Sequence, residues 1–334
     1  MSRIHRVRRA QRALGTVEST ARAITAPVRS AGFPLRAPTA PRGVDVPRSR
    51  SELGADYDTA WARRPVAGAV RALIAAGPLR LAVAAVATPE VVGLDRLADL
   101  EREEDPPALI FAPNHHSHID TGLMIRAIPA AWRRDLVVAA AADYFFDTQW
   151  KAALSALSLN AIPIDRSITN RTSSDMFRDL VADGHSLLIY PAGGRSPDGW
   201  GQTFKGGSAY LSSRTGAPVV PVFIDGTGAI YGKGARRLRP GRTKVVFGTP
   251  LRARADENTR RFNARIEAAV ARLGDEALTD FWTASQRAAA GTNPPLTGPD
   301  HQGWRRQWEL GDRRRRSTTG PRRPQRRRWP DLSS

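Results

Sequence analysis

Short apolar runs alternate with longer segments of helical spacing through the middle of the chain, from about residue 91 to residue 251. Runs of five or six residues have the length of buried strands, and they predict strands at 108–112, 136–140, 161–165, 186–190, 219–224 and 243–247. Apolar residues that recur every three or four positions predict helices near 119–129, 146–159, 172–183, 206–215 and 256–273. Because strands and helices alternate, the sequence predicts an α/β fold with a mainly parallel sheet flanked by helices.

The N-terminal segments have helical spacing without this alternation. Residues 1–58 combine an apolar face interleaved with arginines and a linker rich in Pro, Gly and Arg, so they predict a basic amphipathic helix or an arm without stable structure. Residues 59–89 turn apolar again, Pro78 divides them into two short helices, and Arg71 and Arg80 interrupt their apolar face. We expect this helix pair to lie in a membrane interface, with packing on the protein core as the alternative.

Positive charge is concentrated at the two ends of the chain. Of the formal net charge of +19, residues 1–50 carry +9 and residues 301–334 carry +8, which leaves +2 for residues 51–300. The Arg-rich C-terminal end predicts a disordered tail at 286–334. Basic tails fit an anionic membrane surface or nucleic acid, but the body lacks the charge and motifs of a nucleic-acid-binding protein, so nucleic acid is the less favoured partner.

The composition of the chain disfavours several kinds of structure. Cysteine is absent, which excludes disulfides and thiolate metal sites. No run of 18 apolar residues is free of charge, so we expect no transmembrane helix, and the N-terminus lacks the pattern of a secretory signal.

Three of the six histidines lie within four positions, directly after the predicted strand at 108–112. Residues 114–120 read Asn-His-His-Ser-His-Ile-Asp. A carboxylate bonded to one imidazole nitrogen fixes the tautomer, so that the other nitrogen can take a proton from a hydroxyl. On a continuous helix, His115 and Asp120 would point about 140° apart. They can therefore pair only if His115 lies in the turn and Asp120 in the first turn of the next helix.

The same segment permits a metal-binding interpretation. His116, His118 and Asp120 resemble the start of the His-x-His-x-Asp-His motif of the metallo-β-lactamase superfamily, whose members are metal-dependent hydrolases. Thr121 replaces the last His of that motif, and only His185 follows within the predicted fold, so ligands for a dinuclear site are lacking. We therefore expect no metal and keep the hydrolase as an alternative.

Four ordered blocks are similar to those of the glycerophospholipid acyltransferase family, whose best-known members are 1-acylglycerol-3-phosphate acyltransferases. Asn114–Asp120 resembles the block Asn-His-x-Ser-x-x-Asp. The other blocks are Ala161–Arg166, Tyr190–Ser196 and Val219–Ile224, and Phe204–Gly207 resembles a Phe-Lys-x-Gly segment of the same family. The likeness covers roughly residues 90–250 and implies a glycerolipid acyltransferase-like domain at 90–285.

The resemblance implies transfer of a fatty acyl group from a thioester of coenzyme A or acyl carrier protein to the hydroxyl of a lysophospholipid or glycerol-phosphate-like acceptor. It implies no covalent acyl-enzyme and no cofactor besides the thioester co-substrate. His115 would be the general base and Asp120 its orienting partner. The enzyme would be cytoplasmic and peripheral on the inner face of the cell membrane.

Recognition of the substrate phosphate would fall to Arg166 and Arg195, because a guanidinium binds phosphate in bidentate fashion. Gly193 and Gly194 would let backbone N–H groups approach the anion. The further substrate-binding residues that the blocks imply are Asn114, Ser117, Ser196 and Lys205.

One position departs from the family pattern. The third block is usually Phe-Pro-Glu-Gly-Thr-Arg-Ser, and its Glu is implicated in holding the acceptor, but this chain has Ala192 there. Asp198 is one candidate to replace that carboxylate. The blocks therefore indicate the reaction class but leave several acceptors possible.

Overall fold

A seven-stranded sheet forms the centre of the protein, as a computed structural model shows for residues 57–164 and 171–298, without the side chains of Asp143 and residues 171–174. The predictions of an N-terminal amphipathic helix, of a role for Arg166 and of an Arg-rich tail fall wholly or largely outside the described residues. The strands are β1 Ala87–Val92, β2 Ile110–Pro113, β3 Leu136–Ala141, β4 Ala161–Ile164, β5 Ser186–Leu188, β6 Val219–Asp225 and β7 Gly241–Phe247.

The strand order is β1-β7-β6-β2-β5-β3-β4. Neighbouring strands pair in parallel except for β6 and β7, so five strands run in one direction and β1 and β7 in the other. The predicted mainly parallel α/β fold is confirmed, as are all six predicted strands. The sequence did not predict β1, because this edge strand pairs only with β7 and exposes much of its length.

Helices cover both faces of the sheet. They are α1 Pro65–Ala76, α2 Pro78–Val86, α3 Ala98–Glu101, α4 Ile119–Ala127, α5 Ala130–Arg133, α6 Ala142–Phe145, α7 Gln149–Leu159, α8 Arg171–Ala182, α9 Gly207–Thr215, α10 Thr227–Tyr231, α11 Thr259–Leu278 and α12 Phe281–Ala290. Two short 3-10 helices occupy Ala60–Arg63 and Leu94–Leu97. The five predicted helices and the helix pair divided at Pro78 are confirmed. The shorter helices were not predicted, because they are too short to show a repeat of apolar residues.

Alternating side chains of the central strands feed two apolar cores. On β2, Phe111 packs with residues of α2 and α4 on one face of the sheet, while Ile110 and Ala112 pack with residues of α8, α9 and α11 on the other. Both faces of β2 are buried, which explains its continuous apolar run. The carboxyl ends of β2, β5 and β6 meet at one edge of the sheet, where the loops that carry the sequence blocks come together.

The helix pair α1–α2 is packed on one side and exposed on the other. Val83 is buried, and Leu79 and Val83 lie beside Gly122 of α4, whereas Leu73 and Leu81 are 73% and 71% exposed. Among the described residues, Pro65–Val86 is one helical stretch of 22 residues that is long and apolar enough to cross a membrane by length and composition. Membrane contact and the expected absence of a spanning helix both stay predictions.

The predicted start of the C-terminal tail at residue 286 is too early. Helix α12 continues to Ala290, because Asp280 caps its N-terminus and its sequence is rich in alanine. Beyond it, the carbonyl oxygen of Leu296 accepts a hydrogen bond of 2.8 Å from the Gly201 amide. The folded body therefore extends at least to residue 298.

Candidate active site

The predicted pair of His115 and Asp120 forms at the end of β2. Pro113 ends the strand and Ile119 begins α4, so His115 lies in the turn and Asp120 in the first helical turn. His115 Nδ1 lies 2.8 Å from Asp120 Oδ2, with side-chain exposures of 15% and 0%. Because the helix begins only at Ile119, the two side chains can meet although they are five residues apart in the sequence.

Asp120 also organises the turn around His115. Its Oδ2 atom accepts hydrogen bonds from the backbone amides of His116 at 2.7 Å and Ser117 at 2.9 Å. Because this oxygen is an acceptor, the proton of a neutral His115 ring resides on Nδ1. Nε2 then carries the lone pair that a general base needs.

Asn114 and Ser117 tie the turn to the neighbouring strand and loop. The Asn114 side chain accepts from the Ile224 amide at 2.7 Å and donates to the Ile224 carbonyl at 2.8 Å. Ser117 Oγ donates to the carbonyl oxygen of Tyr231 at 2.6 Å. Both side chains are buried, so this geometry gives them a positioning role, and their contact with substrate stays a prediction.

The other two histidines of the cluster are partly buried. Burial lowers the pKa of His116, and burial, reinforced by the positive charges of Arg195 and His115, lowers the pKa of His118 to about 4. The ring of His118 stacks on Tyr144 with centroids 4.7 Å apart. Within the described ranges, no group of three or more His, Asp or Glu is arranged to hold a metal ion, so the hydrolase alternative gains no support.

The third sequence block forms a tight loop against His115. Gly193 has a φ of +69°, a conformation that favours glycine, and the Lys205 ammonium lies close to its Cα. Gln202 Nε2 donates to the carbonyl oxygens of Gly194 and Arg195. The Ser196 amide donates to the His115 carbonyl at 2.8 Å, which joins the first and third blocks.

Cationic side chains surround this loop. Arg195 and Lys205 both line the cavity at His115, and neither side chain has an ion pair or hydrogen bond within the described part of the chain. Lys233, from the loop after α10, lines the same cavity and was not singled out from the sequence. Arg195 and Lys205, which are unpaired among the described residues and lie beside a glycine loop, suit an anionic group.

Neither Ala192 nor Asp198 offers a carboxylate to this cavity. Ala192 is buried in the apolar core with Ile189 and Phe204. Asp198 is exposed, and its Oδ1 atom accepts from Ser196 Oγ at 3.3 Å and from the Trp200 amide at 3.2 Å, which engages it within its own loop. The hypothesis that Asp198 replaces the missing Glu therefore gains no support.

An apolar cavity of about 670 Å³ extends from His115 along the ends of β3 and β4. Its walls include Ala139, Leu159, Ile164, Phe177 and Leu211. Thr121 and Tyr190 also line the cavity, and the sequence assigned neither of them an individual role. Tyr190 follows β5 and Thr121 lies in the first turn of α4, and no spacing along the chain signals that they meet beside His115.

Comparisons with known proteins agree with the sequence blocks. Residues 90–225 match the sequence model of a family described as Acyltransferase. A chloroplastic 1-acyl-sn-glycerol-3-phosphate acyltransferase of Brassica napus is 33% identical over 97 residues, covering 28% of each chain. An enzyme of the same name from Cocos nucifera is 28% identical over 148 residues, covering 43% of this chain and 46% of that one. The matches thus span between about a quarter and a half of these relatives.

A solved structure of the 1-acyl-sn-glycerophosphate acyltransferase PlsC from Thermotoga maritima matches with a TM-score of 0.47 and 21% identity, covering 66% of this chain and 83% of that one. The four blocks, their order and the matched family model converge on the same region of the chain. The similarity to the acyltransferase family is thus located in residues 90–225 of this chain.

Proposed function

We propose that this protein transfers a fatty acyl group from an acyl thioester to the hydroxyl of a lysophospholipid or glycerol-phosphate-like acceptor. The observation that carries the proposal is the hydrogen bond of 2.8 Å between His115 Nδ1 and the buried carboxylate of Asp120, at the wall of a large apolar cavity. The family match of residues 90–225 supports acyl transfer as the reaction class.

In the proposed mechanism, His115 Nε2 takes the proton of the acceptor hydroxyl while the hydroxyl oxygen attacks the thioester carbonyl carbon. Asp120 stabilises the imidazolium that results. The tetrahedral intermediate then collapses, the carbon–sulfur bond breaks, and the leaving thiolate takes the proton from His115. An ester and a free thiol are produced, and His115 returns to its neutral form.

This mechanism needs no nucleophilic side chain. Ser117 is the nearest hydroxyl in the sequence, but its Oγ donates to the Tyr231 carbonyl and is fully buried. A direct transfer to the acceptor is therefore the chemistry that the residues at His115 support best.

The two ends of the substrate would occupy different parts of the cavity. The apolar walls formed by β3, β4, α8 and α9 suit the fatty acyl chain. Arg195 and Lys205 suit a phosphate group, because neither cation is neutralised by a carboxylate in the described residues. Arg166, which lies outside the described residues, stays a predicted third contact.

The acceptor would contact the protein without the usual carboxylate of the third block. Apolar packing around Ala192 fills that position, so hydroxyl groups of the acceptor must find other partners. We expect the acceptor to differ from that of enzymes that carry Glu there, and a screen of acceptors that share one acyl donor would identify it.

The exposed apolar side chains support attachment of the protein to a membrane surface. Leu73 and Leu81 of the helix pair point outward, and Trp150 of α7, which packs against α1, is 65% exposed. A lipid acceptor resides in a bilayer, so we propose peripheral attachment at the cytoplasmic face of the cell membrane.

Replacement of the proposed base tests the function directly. His115→Ala should lower the rate of acyl transfer by at least about 10²-fold, because general-base catalysis contributes 10²–10⁴-fold. The rate would be measured with acyl-coenzyme A and acyl carrier protein thioesters, by release of free thiol in the presence of a lysophospholipid.

His185→Ala is the matched control, since this histidine is outside the cavity and its Nδ1 lies 3.0 Å from the Asp135 carbonyl oxygen. Unchanged activity in His115→Ala would contradict the proposal. Activity that a chelator abolishes would instead favour the metal-dependent hydrolase.

A further inference from the structure

The ring of His115 is held on its flat face as well as at Nδ1. Tyr190 stacks against it with ring centroids 4.0 Å apart and planes inclined by 25°. The hydrogen bond to Asp120 restrains Nδ1 but by itself does not prevent a small pivot of the ring out of its plane. An aromatic ring in van der Waals contact with one face opposes that pivot.

Tyr190 is itself anchored at both ends. Its carbonyl oxygen accepts from the Gly193 amide at 2.9 Å, and its hydroxyl oxygen lies 3.0 Å from Thr121 Oγ1. Burial, and next the negative charge of Asp120, raise the pKa of Tyr190 well above its ordinary value, so the hydroxyl stays protonated and can share this hydrogen bond.

The contacts close a ring of four residues. Thr121 follows Asp120 directly in the first turn of α4, so the path runs from His115 to Asp120, along the backbone to Thr121, across to Tyr190 and back to His115. Two of its links are hydrogen bonds, one is covalent and one is a ring stack. Asp120 therefore restrains His115 at Nδ1 and Tyr190 restrains its ring face, while Thr121 holds Tyr190 in place.

We infer that Tyr190 is a positioning residue that holds the imidazole of His115 in its reactive orientation, and that Thr121 is the anchor of Tyr190. The inference rests on the proposed role of His115 as general base. Small displacements of a base away from the proton that it takes slow the transfer steeply. The hydroxyl groups of Thr121 and Tyr190 therefore affect the rate of the chemical step, although they need not touch the reacting atoms.

The test is a double-mutant cycle on one hydrogen bond. Thr121→Val and Tyr190→Phe each remove one hydroxyl and retain shape, and each should lower kcat about 10-fold while KM stays within about twofold of the wild-type value. The double variant should be no slower than either single variant, because both remove the same bond. Thr121→Ser should restore the wild-type kcat, and Tyr190→Leu should be slower than Tyr190→Phe.

Controls remove comparable hydroxyls elsewhere. Thr243→Val removes a buried hydroxyl that has no hydrogen-bond partner among the described residues. Tyr57→Phe removes the hydroxyl of a tyrosine whose ring packs on Phe146. Neither should change kcat. The inference is overturned if Thr121→Val and Tyr190→Phe retain wild-type kcat, or if their effects multiply in the double variant.

A measurement without turnover separates this inference from the proposed function. The ring current of Tyr190 should displace the His115 ring protons upfield in the NMR spectrum, less so in Thr121→Val and not at all in Tyr190→Leu. A wild-type protein that shows these shifts but transfers no acyl group would refute the proposed function alone. Shifts that are equal in all three proteins would refute the positioning role.

Discussion

His115 and His118 lie three positions apart and meet opposite surroundings, and their expected chemistry follows those surroundings. His115 has a buried carboxylate at Nδ1, which holds the ring in one tautomer and orientation. His118 lies against the rings of Tyr144 and Phe145, where burial and neighbouring positive charge lower its pKa to about 4. His118 is therefore neutral at pH 7 and contributes a flat, uncharged surface to the cavity.

The lowered pKa of His118 predicts a dependence of stability on pH. Because its ordinary value is 6.5 and its folded value about 4, the unfolded chain binds more protons between these limits. The free energy of unfolding should therefore fall as pH drops from 6.5 towards 4. His118→Phe should reduce this slope, as measured by urea denaturation at several pH values. Equal slopes in the two proteins would contradict the prediction.

At the scale of elements, helix α11 supports the loop that carries Lys205. Asn263 Nδ2 donates to the carbonyl oxygen of Phe204 at 2.9 Å, and Glu267 Oε2 accepts from the Phe204 amide at 3.0 Å. Asn263 and Glu267 are four positions apart, so they lie on one face of the helix. This helix follows the region that matches the family, yet it holds a loop of the candidate site.

Loss of this support should affect acceptor binding. Glu267→Ala leaves the Phe204 amide without its partner, which should lower the free energy of unfolding by about 1–3 kcal/mol and raise KM for a phosphate-bearing acceptor more than it lowers kcat. Glu267→Gln retains an acceptor oxygen and should behave like the wild type. Arg260→Ala, at an exposed position of the same helix, is the control. KM values that are equal in Glu267→Ala and wild type would exclude this role.

At the scale of the whole molecule, exposed apolar side chains gather on the helix pair and α7. Leu73 and Leu81 face outward there, together with Trp150 and Leu154 of α7. Tyr144, which lines the cavity, is also exposed. A membrane surface against this side would receive the apolar residues and bring lipid substrates near the cavity.

Substitution on this surface should weaken membrane binding. Leu73→Glu with Leu81→Glu should reduce co-sedimentation with anionic phospholipid vesicles, because charged groups resist burial in the interface. Leu278→Glu with Trp282→Ala changes residues that are 75% and 74% exposed on α11 and α12, and it should leave binding unchanged. Equal losses in the two double variants would contradict a specific membrane surface.

Removal of residues 1–58 and 301–334 should lower the salt-sensitive part of membrane binding.

The sequence predicted the central strands well, because their apolar runs are buried on both faces and carry a strong signal. It also predicted the apolar face of α11, where Phe262, Ile266 and Val270 are all buried. It did not predict the edge strand β1 or the packing of the segment after α12. Both depend on partners far along the chain, so their own residues carry little local signal.

By itself, the sequence determined the α/β class and indicated the pairing of His115 with Asp120, because both depend on residues close together in the chain. Only the tertiary structure decided what surrounds that pair. Three contacts join residues that lie 59 or more positions apart: the stack of Tyr190 on His115, the hydrogen bond of Tyr190 with Thr121, and the hydrogen bond of Asn263 in α11 with Phe204. Such contacts follow from the register of the sheet and the packing of its helices, which local patterns do not encode.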